Sequence, residues 1–250
     1  MNPPRCCSPF QTQWPGHQPP AKTAFVSTLF NAAAFHDDEF DTCNIPRPAI
    51  FERAVNKRKA EYVAGRACAR EALELETGIS SVPEIGEDRA PIWPAETVGT
   101  ITHSDGWAAA LVASRQHYQG LGIDVETVMS ADRAHRLFQE ILTPDEQRRH
   151  ASALEADPGQ LLTIIFSLKE SLFKALYPIV KRRFYFQHAE LIGFDNQGQA
   201  TLRLLSELSP EWHHGREVDA QFTVFDNRIL SLVTIPSGRR PPASSLIDNN

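Results

Sequence analysis

The 250-residue chain has little cysteine and no long apolar run. Its four cysteines show neither a Cys-x-x-Cys spacing nor companion histidines at the distances of a zinc site: Cys6, Cys7, Cys43 and Cys68. This pattern of cysteines favours free thiols and a protein of the reducing cytoplasm. No apolar run is long enough to cross a bilayer, and the N-terminus lacks the basic region and apolar stretch of a signal peptide, so we expect neither feature.

An excess of positive charge is also absent. The formal net charge of −6 argues against a nucleic-acid-binding protein, because phosphate backbones require a basic face. With 42% apolar and 22% charged residues, the composition is that of an ordinary globular protein, long enough to bury a core as one domain or two. No clear internal repeat is visible.

A short acidic strand is predicted over residues 121–126. Apolar residues alternate there with glycine and acid, which is the period of a half-buried strand. The carboxylates of Asp124 and Glu126 therefore lie on one face, close enough to converge on one cation. Two acids without a partner on one strand repel each other, and a cation between them relieves that repulsion.

A second run, residues 166–176, supplies a further carboxylate and an amine. If it is helical, its leucines form an apolar stripe, whereas Glu170 and Lys174 stand four residues apart on another face. These two side chains could complete an all-oxygen cation site and hold the phosphates that the cation binds. Blander interpretations stay open: the strand acids could be solvated, Ser167 and Glu170 fit a helix capping box, and Glu170 with Lys174 could be an exposed pair.

Four ordered motifs between residues 57 and 176 together resemble the phosphopantetheinyl transferase superfamily. The run 122–126 matches G-I-D-x-E, and the run 166–174 matches [WF]-S-x-K-E-[AS]-x-F-K. The runs 57–66 and 89–104 are similar to the R-x-A-E-[FY]-x-A-G-R and P-x-W-P…S-[IT]-[ST]-H runs of the Sfp-type, EntD-like branch. Over its whole length the sequence looks most like the pseudomonad (PcpS) type of that branch.

The residues themselves indicate an α+β protein, with helices set against antiparallel strands. The resemblance implies more: two similar α/β halves related by a pseudo-twofold axis, with the active site at their interface, and a monomer. We expect an irregular N-terminal arm over 1–22, an N-terminal subdomain over 23–118, a C-terminal subdomain over 119–236 and a polar tail over 237–250.

The resemblance implies that the protein transfers 4'-phosphopantetheine from coenzyme A to a serine of an apo carrier protein and releases adenosine 3',5'-bisphosphate. The carrier would be an acyl or peptidyl carrier protein of fatty acid, siderophore or polyketide synthesis. Asp124, Glu126 and Glu170 are hard oxygen ligands suited to Mg²⁺, with Mn²⁺ as an alternative. The ion would bridge the pyrophosphate of coenzyme A, where Lys174 would add positive charge, with Lys169 as a further candidate for the same role. Such chemistry needs positioning and charge stabilisation rather than a Ser-His-Asp constellation.

The identity of the general base stays open. Glu170 ranks first because the resemblance implies that it lies near the carrier serine, but ligation of a cation would lower its pKa and make it a poor base. A metal-bound water and Lys169 are the alternatives.

The contacts with coenzyme A are expected mainly from the first half. By resemblance, Arg58 and Arg66, about two turns apart on a predicted helix, lie by the 3'-phosphate and adenosine end of the coenzyme. A solvated basic face paired with Glu52 and Glu61 would explain the two arginines equally well.

Further residues resemble those that surround the nucleotide in the family: Arg89, Trp93, His103 and Ser104. For Trp93 the rival interpretation is a core tryptophan, and for His103 it is a structural hydrogen-bonding histidine.

Seven basic residues of the second half are candidates for a carrier-protein dock: Arg133, Arg136, Arg148, Arg149, Lys181, Arg182 and Arg183. An acidic carrier would be opposed by the overall negative charge, so a local basic patch would have to attract it. A solvated basic face is the equal alternative.

Two other functions stay open. A Mg²⁺-dependent phosphohydrolase acting on a small phosphate ester could use the same three acids without a docking surface or the Arg58 and Arg66 pair. A non-enzymatic nucleotide-binding or carrier-binding module would tolerate the loss of Glu126 and Lys174.

The pattern also predicts the elements that carry these motifs. Helices are expected over 49–76 with a stop at Gly78, over 131–142, and from Thr143 onwards. A proline-rich loop is expected over 78–99. Strands are expected over 24–30 and 98–102, as a hairpin of 107–113 and 121–125, and as an antiparallel meander over 184–235.

Overall fold

The computed structural model describes residues 2–16 and 18–238 and has the α+β architecture that was predicted. The strands are β1 Ala24–Leu29, β2 Glu84–Ile85, β3 Pro91–Ile92, β4 Thr97–Ser104, β5 Trp107–Ser114, β6 Tyr118–Thr127, β7 Ala189–Phe194, β8 Gln199–Leu204, β9 Glu217–Phe225 and β10 Arg228–Pro236. The helices are α1 Glu39–Thr42, α2 Asn56–Thr77, α3 Ala131–Ile141, α4 Pro144–Arg149, α5 Ala151–Ala156 and α6 Pro158–Val180.

In the first half, α2 crosses an antiparallel sheet of order β1-β5-β4. The alanine-rich face of α2 allows this close packing, and the helix ends where predicted, at Gly78 with φ of 73°. The predicted start at residue 49 is wrong, because a separate 3₁₀ turn over Ala49–Phe51 precedes the helix. The turn brings Phe51 onto Tyr62, with ring centroids 4.5 Å apart. A continuous helix would hold these residues roughly 16 Å apart.

In the second half, α6 crosses a five-stranded antiparallel sheet of order β6-β10-β9-β8-β7. The predicted meander is confirmed as β7 to β10. Each half therefore sets one long helix, of 22 or 23 residues, across an antiparallel sheet, which is consistent with two similar subdomains. The predicted start at Thr143 is also confirmed, since Thr143 and Glu146 form a capping box at the start of α4.

The predicted hairpin of 107–113 with 121–125 is wrong. Strand β5 is the centre of its sheet, with β1 and β4 on its two edges, and β6 pairs with β10 instead. The true hairpin joins β4 to β5 through Asp105 and Gly106, which have φ of 40° and 78°. An Asp-Gly pair is the usual signal for such a turn, because both positions need positive φ.

The two halves meet where β4 faces β6. The hydroxyls of Thr100 and Thr102 accept hydrogen bonds from the backbone N–H groups of Ile123 and Val125, at 3.2 and 2.9 Å. An apolar cluster is shared by the two sheets and includes Leu111 of β5, Ile123 of β6 and Leu232 of β10. The division at 118 and 119 stays a prediction, and β6 begins at Tyr118.

The N-terminal segment runs along the outer edge of β1. Cys7 and Gln11 form isolated bridges with Phe30 and Ser27, and Cys6 is buried. Among the helices of residues 2–16 and 18–238, none has both the length and the hydropathy needed to cross a membrane. Of the predicted polar tail, residues 239–250 lie outside the described residues.

Candidate active site

Strand β6 carries the two predicted acids, but it is not half-buried as expected. Residues 120–125 are all buried, because α6 lies directly on the face that the alternation left open. A Cβ at Gly122 would lie 1.9 Å from the carbonyl oxygen of Ser171, and one at Gly120 would lie 2.3 Å from that of Ala175. Glycine at these two positions therefore brings the signature helix into backbone contact with the acidic strand.

Asp124 and Lys174 form the centre of the cluster. Asp124 is 5% exposed, and its Oδ1 accepts a hydrogen bond from Lys174 Nζ at 2.8 Å. The same ammonium donates to the carbonyl oxygen of Ile123 at 3.0 Å. Asp124 Oδ2 is buried, and none of the residues that the structure describes forms a hydrogen bond with it. One carboxylate oxygen is thus left for a ligand or cation.

Glu126 and Glu170 share this environment. Burial raises the pKa of Glu126 to about 7, with the negative charge of Asp124 as the next cause. Burial also raises the pKa of Glu170; Lys174 lowers it and Asp124 raises it further. Burial and the neighbouring carboxylates therefore disfavour the charged forms of Glu126 and Glu170, and Lys174 offsets this only in part.

The donor set fits a hard cation. In the part of the chain described by the structure, no three His, Cys, Asp or Glu side chains are already gathered into a metal cage. However, Asp124 Oδ2 has no partner among the described residues, and the pKa values of Glu126 and Glu170 are raised. Both features are typical of acids that need more positive charge than Lys174 alone supplies. Carboxylate oxygens are the ligands that Mg²⁺ prefers.

The ammonium of Lys169 is engaged elsewhere, although the residue lines the same cavity as Glu170. Its ammonium donates to Glu146 Oε2 at 2.7 Å and to the carbonyl oxygens of Ile141 and Phe186 at 2.7 and 2.9 Å. Burial lowers its pKa, although Glu146 opposes that change. With all three donors engaged in the fold, this geometry favours a structural role for Lys169 over the catalytic one considered from the sequence.

A basic pocket of 180 Å³ lies on the first half, lined by Arg58, Arg66 and His103 together with Glu61. Arg66 is buried beside Tyr62, and its Nε has no partner, whereas the Arg58 side chain is 68% exposed. Burial lowers the pKa of His103 to about 4, with Lys174 and Arg58 as further causes, so the imidazole is neutral at physiological pH.

Glu61 is the acidic residue of this pocket and lies close to two of its basic side chains. It is buried, and its Oε2 lies 3.6 Å from Arg58 Nη1 and 3.9 Å from His103 Nδ1. The solvated basic face that rivalled the binding hypothesis is therefore only partly correct, since Arg58 is exposed but Arg66 and Glu61 are buried.

A second cavity, of 270 Å³, lies between the halves. Residues 78–99, expected as a loop, contain the two-stranded ribbon β2-β3, and Arg89 sits in its turn with φ of 69°. Arg89 lines both this cavity and the basic pocket. The Trp93 ring lies against Gly99, where a Cβ would be 2.7 Å away, and forms one wall opposite Lys174.

A third cavity, of 160 Å³, continues past Glu170. Its walls are aromatic, from Phe173, Phe184, Tyr185 and Phe186, and Arg183 stands at its rim. Because Phe173 and Arg183 also line the second cavity, the three cavities follow one another along a single cleft. Lys174 lines the second cavity and Glu170 the third, whereas Asp124 and Glu126 are not among the lining residues of these three cavities; Asp124 is connected to the cleft through its bond to Lys174.

The remaining predicted residues are more scattered. Ser104 ends β4 and lines none of these three cavities. Arg149 is bound to Glu190 and to the carbonyl oxygen of Leu191, and Arg148 pairs with Asp145.

Among the other basic candidates, Arg182 donates to the carbonyl oxygen of Glu207 at 2.8 Å. Lys181 lies 4.0 Å from Asp88 in the ribbon turn of the first half. Arg133 is exposed on α3 and lowers the pKa of Glu126 electrostatically, and Arg136 is exposed on the same helix.

Sequence reasoning missed several lining residues of the cleft. Phe173 and Tyr177 stack with centroids 5.1 Å apart, and Arg183, which was considered from the sequence only for carrier docking, lines two of the cavities. The spacing of Phe173 and Tyr177, four residues apart on the helix that carries Lys174, was the available signal. Nothing local in the sequence marked Glu61 as buried.

Two larger cavities, of 340 and 480 Å³, lie elsewhere, on the two sides of Phe222. They contain none of the motif residues, and their described lining residues include no Lys, Arg or His. Size alone therefore does not identify the site, and a phosphate-bearing ligand has no basic partner there.

Comparison with known proteins agrees with the motifs. The family profile for the 4'-phosphopantetheinyl transferase N-terminal domain matches residues 46–113, and that for the 4'-phosphopantetheinyl transferase superfamily matches residues 120–232. The first contains the basic pocket and most of the cavity wall from β4, and the second contains the acidic strand and signature helix.

Three curated relatives illustrate the similarity. Enterobactin synthase component D of Escherichia coli K12 is 42% identical over 162 residues, which are 62% of this chain and 76% of the relative. Enterobactin synthase component D of Salmonella typhi is 35% identical over 230 residues, or 87% and 90% of the two chains. The 4'-phosphopantetheinyl transferase Svp of Streptomyces mobaraensis is 34% identical over 177 residues, or 69% and 71%. The predicted closeness to the pseudomonad type stays a prediction.

Proposed function

Because the chain belongs to the 4'-phosphopantetheinyl transferase superfamily, it is a transferase that uses coenzyme A, and we propose that its cleft performs this reaction on a serine of an apo carrier protein. The supporting observation is that Glu170 and Lys174 line a cleft that is basic at one end and aromatic at the other. Lys174 is bonded to Asp124, and Glu126 lies near enough to Asp124, Lys174 and Glu170 for their charges to shift its pKa. Neither the phosphohydrolase nor the binding-module alternative accounts for the family match.

The adenosine end of coenzyme A belongs, in this proposal, in the basic pocket. Arg58 and Arg66 supply charge for the 3'-phosphate, and Arg89 can follow the ligand from this pocket into the next cavity. His103 is neutral when the pocket is empty, so it meets the phosphate as a hydrogen-bond donor unless binding raises its pKa. Trp93 and Ile101 cover the apolar parts of the nucleotide. Ser104, which lines none of the three cavities, stays a weaker candidate.

The pyrophosphate then reaches the acidic cluster. Asp124, Glu126 and Glu170 would hold Mg²⁺, or Mn²⁺ in its place, and the ion would neutralise charge on the phosphates. Lys174 contributes a second positive charge from the same position, where its ammonium is held by Asp124 and the Ile123 carbonyl oxygen.

The transfer itself requires one proton acceptor and one leaving group. The carrier serine oxygen bonds to the β-phosphorus of coenzyme A, its proton passes to a base, and the bond to the nucleotide phosphate breaks to release adenosine 3',5'-bisphosphate. Glu170 is the base that we propose, because it lines the cavity beside Arg183, where the carrier approaches. It would accept the proton on an oxygen that does not ligate the cation, because ligation lowers the pKa of a carboxyl group. Lys169 is left out, because its ammonium is held by three acceptors.

The aromatic cavity beyond Glu170 suits the pantetheine arm. Phe173 and Phe184 give it apolar walls, and it opens beside Arg183, where the carrier must approach. Of the seven docking candidates, Arg148 and Arg149 are engaged with acids of their own chain. We therefore propose that the dock includes Arg183 and the exposed arginines of α3, Arg133 and Arg136.

The relatives support a choice of carriers. Several of them are named components of enterobactin synthase, so carrier domains of a siderophore synthase are the substrates that we propose first, with a fatty acid carrier next. Action as a cytoplasmic monomer, without a nucleic-acid or membrane partner, is part of the same proposal.

The direct test is intact-mass spectrometry of a purified apo carrier protein incubated with this enzyme, coenzyme A and Mg²⁺. We expect the carrier to gain the mass of one phosphopantetheine, to gain nothing with EDTA, and to gain nothing when its acceptor serine is replaced by alanine. Absence of any gain on both an acyl and a peptidyl carrier would contradict the proposal.

A further inference from the structure

A line of buried hydroxyl groups lies between α6 and the sheet beneath the acidic cluster. Ser167, Ser171 and Ser231 are each 0% exposed. The Oγ of Ser231, on β10, lies 2.8 Å from Ser167 Oγ and 2.7 Å from Ser171 Oγ. Ser231 is therefore the point at which both helix serines are tied to the sheet.

This line is connected directly to the site. Ser231 is the cross-strand partner of Asp124 in the pairing of β10 with β6. Side chains of opposite residues in an antiparallel pair point to the same face. Ser167 Oγ also donates to the backbone carbonyl oxygen of Asp124 at 3.0 Å. The hydroxyls thus lie next to Asp124, the residue that binds Lys174, both on the neighbouring strand β10 and on α6.

Helix α6 packs Leu168 and Leu172 into the core, but its contact with β6 is different. Gly120 and Gly122 leave its backbone lying on that of β6, so no side chain at these two positions enters a groove of the helix and helps to fix its position along the strand. Hydrogen bonds are directional and can fix that position. Ser167 and Ser171 are four residues apart on the helix and both meet the one hydroxyl of Ser231.

We infer that Ser231 is a positioning residue for phosphopantetheine transfer: its hydroxyl sets the register of α6 on β6, and so holds Glu170 and Lys174 against Asp124 and Glu126. The inference rests on the proposed function for its catalytic consequence. Loss of the hydroxyl leaves Ser167 bonded to the Asp124 carbonyl oxygen and Ser171 bonded to the Ser231 carbonyl oxygen at 3.2 Å. The fold is therefore retained while the tie between them is lost.

The test compares Ser231→Ala with Thr163→Val. Thr163 is a matched control, because its hydroxyl is also 0% exposed on α6, where it accepts from the Met129 N–H and donates to the Gly159 carbonyl oxygen, away from the cluster. At a temperature where all variants are folded, we expect Ser231→Ala to lower kcat and raise the Mg²⁺ concentration for half-maximal rate, each about tenfold. The KM for coenzyme A should change by less than about twofold, because the basic pocket of the first half is untouched.

Ser231→Cys, which keeps a weak donor at nearly the same size, should recover part of the loss. A second readout needs no carrier: the rise in melting temperature that Mg²⁺ gives to the coenzyme A complex should shrink in Ser231→Ala and not in Thr163→Val. A Ser231→Ala enzyme with unchanged kcat and unchanged Mg²⁺ response would overturn the inference, as would equal losses in both variants. If the wild-type enzyme modified no carrier, the proposed function would fail, and the melting-temperature comparison would still decide the positioning role.

Discussion

Replacing Lys169 by methionine separates a structural lysine from a catalytic one. The side chain has the position in the signature motif that first suggested catalysis, yet its ammonium forms a buried ion pair with Glu146 at 2.7 Å. Glu146 is 0% exposed, and it also accepts the N–H groups of Thr143 and Leu191 at 2.8 and 2.7 Å. One pair therefore joins the signature helix to the start of α4 and to β7.

The expected magnitude follows from that burial. Lys169→Met leaves the Glu146 carboxylate charged and unpaired, which costs about 3–5 kcal/mol. This is a large share of the roughly 5–15 kcal/mol that stabilises an ordinary fold. Adding Glu146→Gln removes the unpaired charge while keeping one acceptor oxygen, so the double variant should be more stable than Lys169→Met alone, by about 1–2 kcal/mol.

The assay is urea unfolding followed by fluorescence, with transfer rates measured on the same preparations. Lys59→Met is the matched control, because Lys59 is also buried but its partner Asp37 is 53% exposed, so the loss there should stay below about 1 kcal/mol. We expect the activity of each variant to follow its folded fraction. A Lys169→Met protein that keeps its full stability but loses transfer would refute this reasoning and restore the catalytic assignment.

Three further outcomes are expected. Gly122→Ala should lower the free energy of unfolding by about 2 kcal/mol or more in urea titrations, because the added Cβ would lie 1.9 Å from a carbonyl oxygen of α6. Gly193→Ala is the control, because a Cβ there would have no described atom within 4 Å. Without Mg²⁺, the pKa of Glu126 rises from 4.5 in the unfolded chain to about 7 in the folded protein. Between these two values the folded state holds more protons than the unfolded state, so the free energy of unfolding should fall as pH rises from about 4.5 to about 7. Arg58→Ala should raise the KM for coenzyme A about tenfold and leave that for dephospho-coenzyme A nearly unchanged, since the lost group is a charged partner of the 3'-phosphate.

The pH prediction needs a correction for His103. Its pKa falls from 6.5 to about 4 on folding, so between those values the folded state holds fewer protons and stability rises with pH. Subtracting the curve of Glu126→Gln from that of the wild type removes this opposite slope. A difference curve that is flat between pH 4.5 and 7 would contradict the raised pKa of Glu126.

The sequence predicted the α+β class, the meander and the two runs that build the acidic cluster, because each depends on a local pattern. Alternation placed Asp124 and Glu126 on one face, and helical spacing brought Glu170 and Lys174 together. The capping box at Thr143 and the glycine stop at Gly78 are local in the same way, and both are confirmed.

What the sequence did not predict depends on contacts between distant segments. Burial of β6 on both faces needs α6, which begins about thirty residues later, and the alternating pattern gives no sign of it. The wrong hairpin came from treating neighbouring strands as partners, whereas β6 pairs with β10, more than 100 residues away for Asp124 and Ser231. The role of Lys169 could not be read from its motif either, since Glu146 is 23 residues distant.

The measurement that tests the central claim most directly is carrier modification by Asp124→Asn, followed by intact mass over a range of Mg²⁺ concentrations. Asparagine keeps the shape of the side chain and an oxygen for Lys174, so the fold should be intact by circular dichroism. We expect no gain of phosphopantetheine at any Mg²⁺ concentration at which the wild type completes the reaction. Transfer by Asp124→Asn at a rate close to that of the wild type would contradict the claim that Asp124, Glu126 and Glu170 hold the cation.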